Sequence, residues 1–116
     1  MYTGTVEARP RRLVIYVTSA GRRPFRIWLE SLKDETGRAR VLARLERVED
    51  GNLGDHKPVG GGVMELRVDY GPGYRVYCAQ DGLITVVLLC GGSKGAQKRD
   101  ISRAKDYWLD YQRRED

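Results

Sequence analysis

The sequence predicts an α+β domain in which a helical hairpin and a C-terminal helix pack on a small, mainly antiparallel sheet. Three observations predict this class. Apolar residues recur at helical spacing in the first half of the chain, alternate with polar residues from Met64 to Cys78, and return to helical spacing after Ser93. The predicted element order is β-α-α-β-β-β-α. At 116 residues the chain has the length of one domain.

The first half of the chain predicts an arm, a strand and two helices. Met1 to Arg12 contains glycine, proline and a basic run, and is predicted to be a flexible arm before a strand at Leu13 to Val17. Pro24 suits the first turn of a helix, Asp34 suits the N-cap of a second, and Gly51 suits its end. The apolar stripes of the two helices are Phe25, Trp28, Leu29 and Leu32, followed by Val41, Leu42, Leu45 and Val48.

The second half predicts a glycine-rich loop, three strands and a helix. The loop covers Asn52 to Gly62, and the turns between strands lie at Gly71-Pro72-Gly73 and Asp81-Gly82. Leu83 to Cys90 is almost continuously apolar, so we expect it to be the central strand. Gly91-Gly92-Ser93 then releases the chain into the last helix. The inward positions are Met64, Leu66, Val68, Tyr70, Tyr74, Val76 and Cys78 on the strands, and Ile101, Ala104, Trp108 and Tyr111 on the helix.

Composition favours an anionic partner and gives little support to metal or membrane chemistry. Lys plus Arg number 21 against 16 Asp plus Glu, a net charge of +5 with an isoelectric point near 9.4. Cys78 and Cys90 lie in apolar strand contexts, which predicts buried thiols in a reducing compartment. The chain has one histidine, so no clustered metal site and no cofactor are expected. No apolar run is long enough to span a membrane, and we expect a cytoplasmic protein.

Four basic signatures carry the functional prediction. Each places a Lys or Arg at or beside a backbone element that should be rigid, and no comparable set of carboxylates, cysteines or histidines accompanies them. Fixed cations of this kind suit phosphate groups, so nucleic acid is the predicted partner. The signatures are Gly54-Asp55-His56-Lys57, Glu65-Leu66-Arg67, Gly71-Pro72-Gly73-Tyr74-Arg75 and Gly91-Gly92-Ser93-Lys94-Gly95-Ala96-Gln97-Lys98.

The hairpin around Gly71-Pro72-Gly73 predicts a binding face. A tight turn there would place Arg75 opposite Asp69 and Arg67 opposite Tyr77, with the apolar positions facing the helices. An RNA strand would then lay phosphates on the two arginines and stack a base on Tyr77. Two plainer interpretations stay open, because Arg75 and Asp69 would also suit an ordinary ion pair, and Tyr77 would also suit a ring that covers the sheet.

The remaining candidates lie in a loop and at the last strand-to-helix junction. Lys94 adds a point charge where exposed backbone N–H groups at a helix start attract anions, and Gln97 and Lys98 follow in the first turns. The spacing is not that of a P-loop, which argues against nucleoside triphosphate binding. His56 is a minority candidate for acid–base chemistry near neutral pH. Lys57 is favoured over it, because the following proline stiffens the loop.

With these residues placed, the chain resembles the RelE/ParE superfamily of toxins from bacterial toxin–antitoxin pairs. It is most similar to the HigB-like branch, whose members are described as phage-derived or addiction module killer proteins. The resemblance covers most of the chain. Its motifs are Phe25-x-x-Trp28-Leu29-x-x-Leu32, Gly51-Asn52-x-Gly54-Asp55-x-Lys57, Glu65-Leu66-Arg67, Gly71-Pro72-Gly73-Tyr74-Arg75-Val76-Tyr77 and Leu88-Leu89-x-Gly91-Gly92-x-Lys94-x-x-Gln97-x-x-Asp100-Ile101-x-x-Ala104.

The resemblance implies a RelE-like fold and a toxin that cleaves mRNA in the ribosome without a metal ion or cofactor. It also implies a cognate antitoxin, expected to be a small helix-turn-helix protein encoded by an adjacent gene. Two rival functions stay open: a ParE-like toxin that inhibits DNA gyrase, and a basic nucleic-acid-binding module without activity. By position, the family's basic catalytic residues match Lys57, Arg67 and Lys94, with Arg75 in support.

The resemblance leaves the proton carriers open. Ribonuclease members commonly place a Tyr or His near the last strand or final helix, and this chain has neither between Lys94 and Tyr107. Tyr77, His56 and Lys98 are the candidates to take this role in its place. The residues expected to bind RNA are Arg67, Arg75, Tyr77, Lys94, Gln97 and Lys98.

Overall fold

A computed structural model describes residues 9–115, and within them the chain forms a five-stranded sheet with helices on both faces. The spatial strand order is β1-β5-β4-β3-β2; β1 pairs with β5 in parallel and every other pair is antiparallel. The predicted α+β class is confirmed. The elements are β1 (Arg12–Ile15), α1 (Pro24–Ser31), α2 (Glu35–Glu49), β2 (His56–Gly60), β3 (Val63–Val68), β4 (Tyr74–Asp81), β5 (Thr85–Ser93), a 3-10 turn (Lys94–Ala96) and α3 (Gln97–Glu115).

The helical hairpin α1–α2 covers one face of the sheet, as the apolar stripes predict. Pro24 opens α1, and the Asp34 side chain caps α2 by accepting a hydrogen bond of 3.0 Å from the Gly37 N–H. Gly51 follows α2 with a φ of 95°, a conformation that glycine adopts without steric cost. The buried side chains of this layer include Phe25, Val41, Leu45, Val48, Leu66, Val68, Val76, Cys78, Val86 and Leu88.

Helix α3 covers part of the opposite face. Ala104 and Trp108 are buried against the sheet, with Ile101 and Tyr111 partly buried beside them, so the predicted inner stripe is confirmed. The sheet residues beneath this layer include Val63, Tyr77, Ala79, Val87 and Leu89. Both cysteines are buried and free, as expected for small apolar side chains in interior strands. No helix of residues 9–115 is long and apolar enough to cross a membrane.

One strand was missed. The predicted loop Asn52 to Gly62 contains β2, which pairs antiparallel with β3 so that Lys57 lies opposite Glu65. Its sequence, His-Lys-Pro-Val-Gly, lacks the apolar alternation that signals a strand. Pro58 is tolerated because β2 lies at the sheet edge, where one side of the backbone needs no ladder partner.

The β3–β4 register differs from the prediction by two residues. Arg67 lies opposite Arg75 and Glu65 lies opposite Tyr77, so the expected pairing of Asp69 with Arg75 is wrong. The strands stop at Val68 and Tyr74, and the turn between them is closed by the Gly73 N–H, which donates to the Tyr70 carbonyl at 2.9 Å. A shift of two residues keeps each side chain on its face. The predicted division between an apolar and a polar face is therefore retained.

Strand β5 ends later in the chain than predicted, and β1 begins one residue earlier. Gly91 and Gly92 belong to β5, and a larger residue would not fit at either position: a Cβ at Gly91 would lie 2.3 Å from the Trp28 ring, and one at Gly92 would lie 1.8 Å from Asp100 Oδ2. Arg12 starts β1, so it is not part of a flexible arm. Residues 1–8 of the expected arm lie outside the described residues.

Candidate functional site

A buried carboxylate lies at the centre of the polar face. Glu65 is fully buried, and its Oε2 accepts hydrogen bonds from Gln97 Nε2 at 2.9 Å and from the Tyr77 hydroxyl at 3.1 Å. Arg75 Nε lies 3.7 Å from Oε2, and Arg67 Nε lies 3.5 Å from Oε1. We refer to these five residues as the Glu65 network. Three elements build it: β3, β4 and the first turn of α3.

The partners of Glu65 keep it ionised. Burial by itself would raise the pKa of this carboxyl, because a buried charge loses its hydration. Hydrogen bonds from Gln97 and Tyr77, the positive charge of Arg75 and the hydrogen bond from Arg67 outweigh that effect and lower the pKa below its ordinary value. At neutral pH the negative charge of Glu65 therefore attracts both guanidinium groups, and the buried Arg75 Nε is held by this charge without a hydrogen bond.

A cleft beside the network gathers three of the predicted cations. It has a volume of about 230 Å³ and lies at the β3–β4 turn; we call it the hairpin cleft. The Lys94 N–H donates to the Gly73 carbonyl at 2.9 Å, which fixes the last junction against the turn. Within the described residues the Lys94 side chain has no ion pair. The cleft is lined by Arg67, Asp69, Gly71, Pro72, Gly73, Arg75 and Lys94.

The other predicted basic residues lie outside the hairpin cleft. Lys57 is exposed on the edge strand, opposite Glu65 and therefore on the same face of the sheet, one strand further from Arg75. His56 lies opposite Leu66 and thus faces the other way, with its Nδ1 2.8 Å from the Gly54 carbonyl. Lys98 is exposed on α3 and does not line the cleft.

The predicted role of Tyr77 as a base-stacking platform is wrong. Its ring is fully buried under α3, and its hydroxyl donates to Glu65. Burial, together with the negative charge of Glu65, raises the pKa of Tyr77 far above its ordinary value. The plainer interpretation, a ring that covers the sheet, is the correct one, and the same burial removes Tyr77 as a proton carrier.

Comparison with known families decides the relationship. The family described as phage-derived protein Gp49-like (DUF891) matches residues 27–107, which include the Glu65 network and the hairpin cleft. The chain belongs to the Gp49-like family. This family is part of the RelE/addiction-module killer toxin group, so membership is compatible with the toxin of a toxin–antitoxin system and suggests an antitoxin partner.

A curated relative extends the comparison. A protein of Haemophilus influenzae (strain ATCC 51907 / DSM 11121 / KW20 / Rd), described as an uncharacterized protein, is 47% identical over 81 residues. The alignment covers 70% of this chain and 82% of that protein.

Two buried residues of this Gp49-like protein were missed as site residues. Glu65 was placed on the correct face by strand alternation, but its burial was not predicted. Arg44 of α2 is only 6% exposed, and its Nε donates to the Arg67 carbonyl at 3.0 Å while its Nη2 donates to the Asp55 carbonyl at 2.9 Å. Arg44 thus holds the segment before β2 against the end of β3. An arginine within the helix's apolar stripe was the available signal.

A second buried carboxylate lies on the other side of the first turn of α3. Asp100 is 3% exposed, its Oδ2 has no hydrogen-bond partner, and Arg99 Nε lies 3.8 Å from Oδ1. Burial raises the pKa of Asp100, and the charges of Arg99 and Arg103 oppose this only in part. Asp100 borders a cleft of about 780 Å³ between α1, β5 and α3, which none of the predicted basic residues lines.

Proposed function

We propose that this Gp49-like protein is a HigB-like toxin that cuts mRNA on the ribosome. The observation that carries the proposal is the hairpin cleft, in which Arg67, Arg75 and Lys94 meet on rigid elements and a buried carboxylate orients two of them. Such a cleft offers fixed positive charge to a phosphodiester and needs little reorganisation when negative charge develops. The antitoxin would block this charge until it is released or degraded.

The reaction we propose is an internal transfer. The RNA 2′-oxygen attacks the adjacent phosphorus, the bond from phosphorus to the 5′-oxygen of the next nucleotide breaks, and the products are a 2′,3′-cyclic phosphate and a free 5′-hydroxyl. The three cations contact the non-bridging oxygens and stabilise the pentacoordinate phosphorane. Removing one such contact typically costs about 10²–10³-fold in rate. Lys57, at the edge of the same face, would bind a flanking phosphate.

Two protons must move in this reaction. The 2′-hydroxyl proton has to leave as the new bond forms, and the departing 5′-oxygen has to gain one. Asp69 is the carboxylate among the residues that line the hairpin cleft, so we assign it as acceptor of the 2′-hydroxyl proton. We assign Lys94 as the donor of the proton to the departing 5′-oxygen. His56 faces the other side of the sheet, which argues against the minority hypothesis that it acts as the acid or base.

The test compares Lys94→Ala with Lys98→Ala. Both lysines are exposed and lie close together in the chain, but only Lys94 lines the hairpin cleft, so the two variants remove the same charge with different consequences. We expect Lys94→Ala to reduce cleavage of translated mRNA about 100-fold, and Lys98→Ala to change it less than threefold. Cleavage is measured by primer extension in a reconstituted translation reaction.

Three outcomes would contradict the proposal. Equal activity of both variants would remove Lys94 from the reaction. Intact transcripts together with altered DNA supercoiling would favour the ParE-like alternative, and an absence of effect on RNA, gyrase and growth would favour the non-catalytic module. Asp69→Asn provides an independent check of the proton acceptor, with an expected loss of about 100-fold if general base catalysis operates.

A further inference from the structure

A second cleft adjoins the proposed cleavage site. It has a volume of about 340 Å³ and lies between α2 and the end of β3; we call it the α2 cleft. Arg67 and Asp69 line both this cleft and the hairpin cleft, so the two are continuous across these side chains. The complete lining of the α2 cleft is Arg40, Ala43, Arg44, Arg47, Asp55, Arg67, Val68, Asp69 and Tyr70.

The helical period puts three arginines along the α2 cleft. Arg40, Arg44 and Arg47 follow one another at spacings of four and three residues, which places them on one side of α2 over about 10 Å. Arg44 turns inward and binds backbone carbonyls. Arg40 and Arg47 are exposed on either side of it. The cleft therefore has a fixed central guanidinium and two exposed ones about two helical turns apart.

The partners of the two exposed arginines leave them available for a ligand. The guanidinium of Arg40 lies over the Tyr70 ring, 5.0 Å from its centroid, and forms no ion pair in residues 9–115. The Arg47 side chain has neither a hydrogen bond nor an ion pair in the same part of the chain, and only its backbone carbonyl is engaged, by the Asn52 N–H at 2.8 Å. A guanidinium stacked on a partly exposed tyrosine presents a flat, cationic surface of the kind on which single-stranded bases stack.

We infer that the α2 cleft is a second RNA subsite, which binds the strand as it leaves the hairpin cleft. Arg47 and Arg40 contact successive backbone phosphates, and the Arg40–Tyr70 pair stacks a base. The inference rests on the proposed function for its choice of RNA. An acidic protein segment fits less well for two reasons. The stacked Arg40–Tyr70 pair suits a planar ring. Asp55 and Asp69 would repel the carboxylates of such a segment, whereas they can accept hydrogen bonds from ribose hydroxyls and base amino groups.

The test measures RNA binding without cleavage. Two fluorescein-labelled oligoadenylates with 2′-O-methyl groups are used, one of three nucleotides and one of ten, and affinity is measured by fluorescence anisotropy over a range of salt concentrations. The Arg40→Ala/Arg47→Ala double variant is compared with Arg26→Ala/Arg113→Ala, which removes two exposed cations that line neither cleft. Circular dichroism verifies that both remain folded.

We expect the Arg40→Ala/Arg47→Ala variant to bind the long RNA about 10-fold more weakly and to lower the slope of log affinity against log salt by about 1–2. Binding of the short RNA should change less than twofold, because a trinucleotide is too short to span both clefts and the three cations of the hairpin cleft should hold it there. The control variant should bind both RNAs within twofold of the unmodified protein.

Three results would overturn the inference: unchanged binding of the long RNA, equal weakening of the two RNAs, or an equal effect of the control variant. If a ten-residue polyglutamate bound the Arg40→Ala/Arg47→Ala variant more weakly than the unmodified protein, while the long RNA bound both equally, the cleft would be assigned to an acidic protein segment instead. Failure of the proposed function would be seen in a different experiment, the mRNA cleavage assay that compares Lys94→Ala with Lys98→Ala, and is independent of these binding measurements.

Discussion

The two carboxylates buried near the first turn of α3, Glu65 and Asp100, differ in how well hydrogen bonds and nearby cations stabilise their charged forms. Burial tends to raise the pKa of both. Glu65 has two hydrogen bonds to Oε2 and two neighbouring guanidinium groups, and its pKa is lowered. Asp100 has an unpartnered Oδ2 against Gly92, and its pKa is raised. Hydrogen bonds, more than depth, decide whether a buried acid stabilises its surroundings.

The comparison also ranks the cations of the hairpin cleft. The Arg75 side chain is 12% exposed and that of Arg67 is 35% exposed, and both lean on Glu65. Lys94 is exposed and has no ion pair within the described residues. The two arginines that Glu65 orients are therefore less accessible to a substrate than Lys94. Of the three cations, the unpaired Lys94 binds a phosphate at the smallest desolvation cost.

The largest expected effect comes from removing the charge of Glu65. Glu65→Gln keeps the shape of the side chain but leaves Arg67 and Arg75 without their shared anion. We expect the free energy of unfolding at pH 7 to fall by about 3 kcal/mol, as for a broken buried ion pair. Urea denaturation followed by circular dichroism measures this loss, with the exposed Glu46→Gln as the matched control, expected within about 0.5 kcal/mol.

The same variant has a defined pH dependence. Because the folded-state pKa of Glu65 is lowered, its contribution is complete above the ordinary value of 4.5 and is lost as the pH falls through the folded-state pKa. The difference in unfolding free energy between the unmodified protein and Glu65→Gln should therefore shrink in acid. A difference that stays constant from pH 7 to pH 3 would contradict an ionised, stabilising Glu65.

A smaller loss is expected for Tyr77→Phe. The change removes one hydrogen bond to a charged acceptor while Gln97 and Arg75 remain, so we expect about 1.5 kcal/mol of destabilisation. Cleavage of mRNA should stay within threefold, because a buried hydroxyl does not reach substrate. Tyr107→Phe, which alters a partly exposed hydroxyl on α3, is the control for stability. A 100-fold loss of cleavage in folded Tyr77→Phe protein would restore Tyr77 as a catalytic candidate.

The smallest expected effect has the opposite sign. Asp100→Asn removes a buried charge that lacks a partner for one oxygen, so we expect a gain of about 1 kcal/mol at pH 7. Because burial raises the folded-state pKa of Asp100 above 3.8, the gain should decline as the pH falls and the unmodified carboxyl becomes protonated. Urea denaturation at several pH values measures this change, with exposed Asp106→Asn as the control. Destabilisation at pH 7 would mean that the Arg99 contact outweighs the burial.

The fold was largely predictable because most elements carry a periodic apolar pattern. The stripe around Val41 and Leu45 predicts α2, and alternation from Met64 to Cys78 predicts the central hairpin. Strand β2 was missed because its sequence has no such pattern and its pairing depends on β3. The register was missed because the turn around Pro72 takes more residues than a tight hairpin, a length that composition does not specify.

The candidate site was less predictable, because its key features depend on depth. Strand alternation predicts that Glu65, Arg67 and Tyr77 share a face, but not that α3 buries two of them. For the same reason, the sequence does not show that Lys94 and Arg75 line one cleft while Lys57 lies at the sheet edge. Residue type indicates the chemistry, whereas exposure decides which residues can use it.

The parallel pair β1–β5 has a consequence for how the chain folds during its synthesis. Arg12 at the start of β1 contacts Thr85 of β5, which lies 73 positions later in the chain. The first strand therefore waits unpaired until nearly the whole sheet has been translated, and contacts between such distant segments form slowly. Lys94 and α3 emerge later still. On the proposed function, the hairpin cleft is therefore incomplete until Lys94 has been translated.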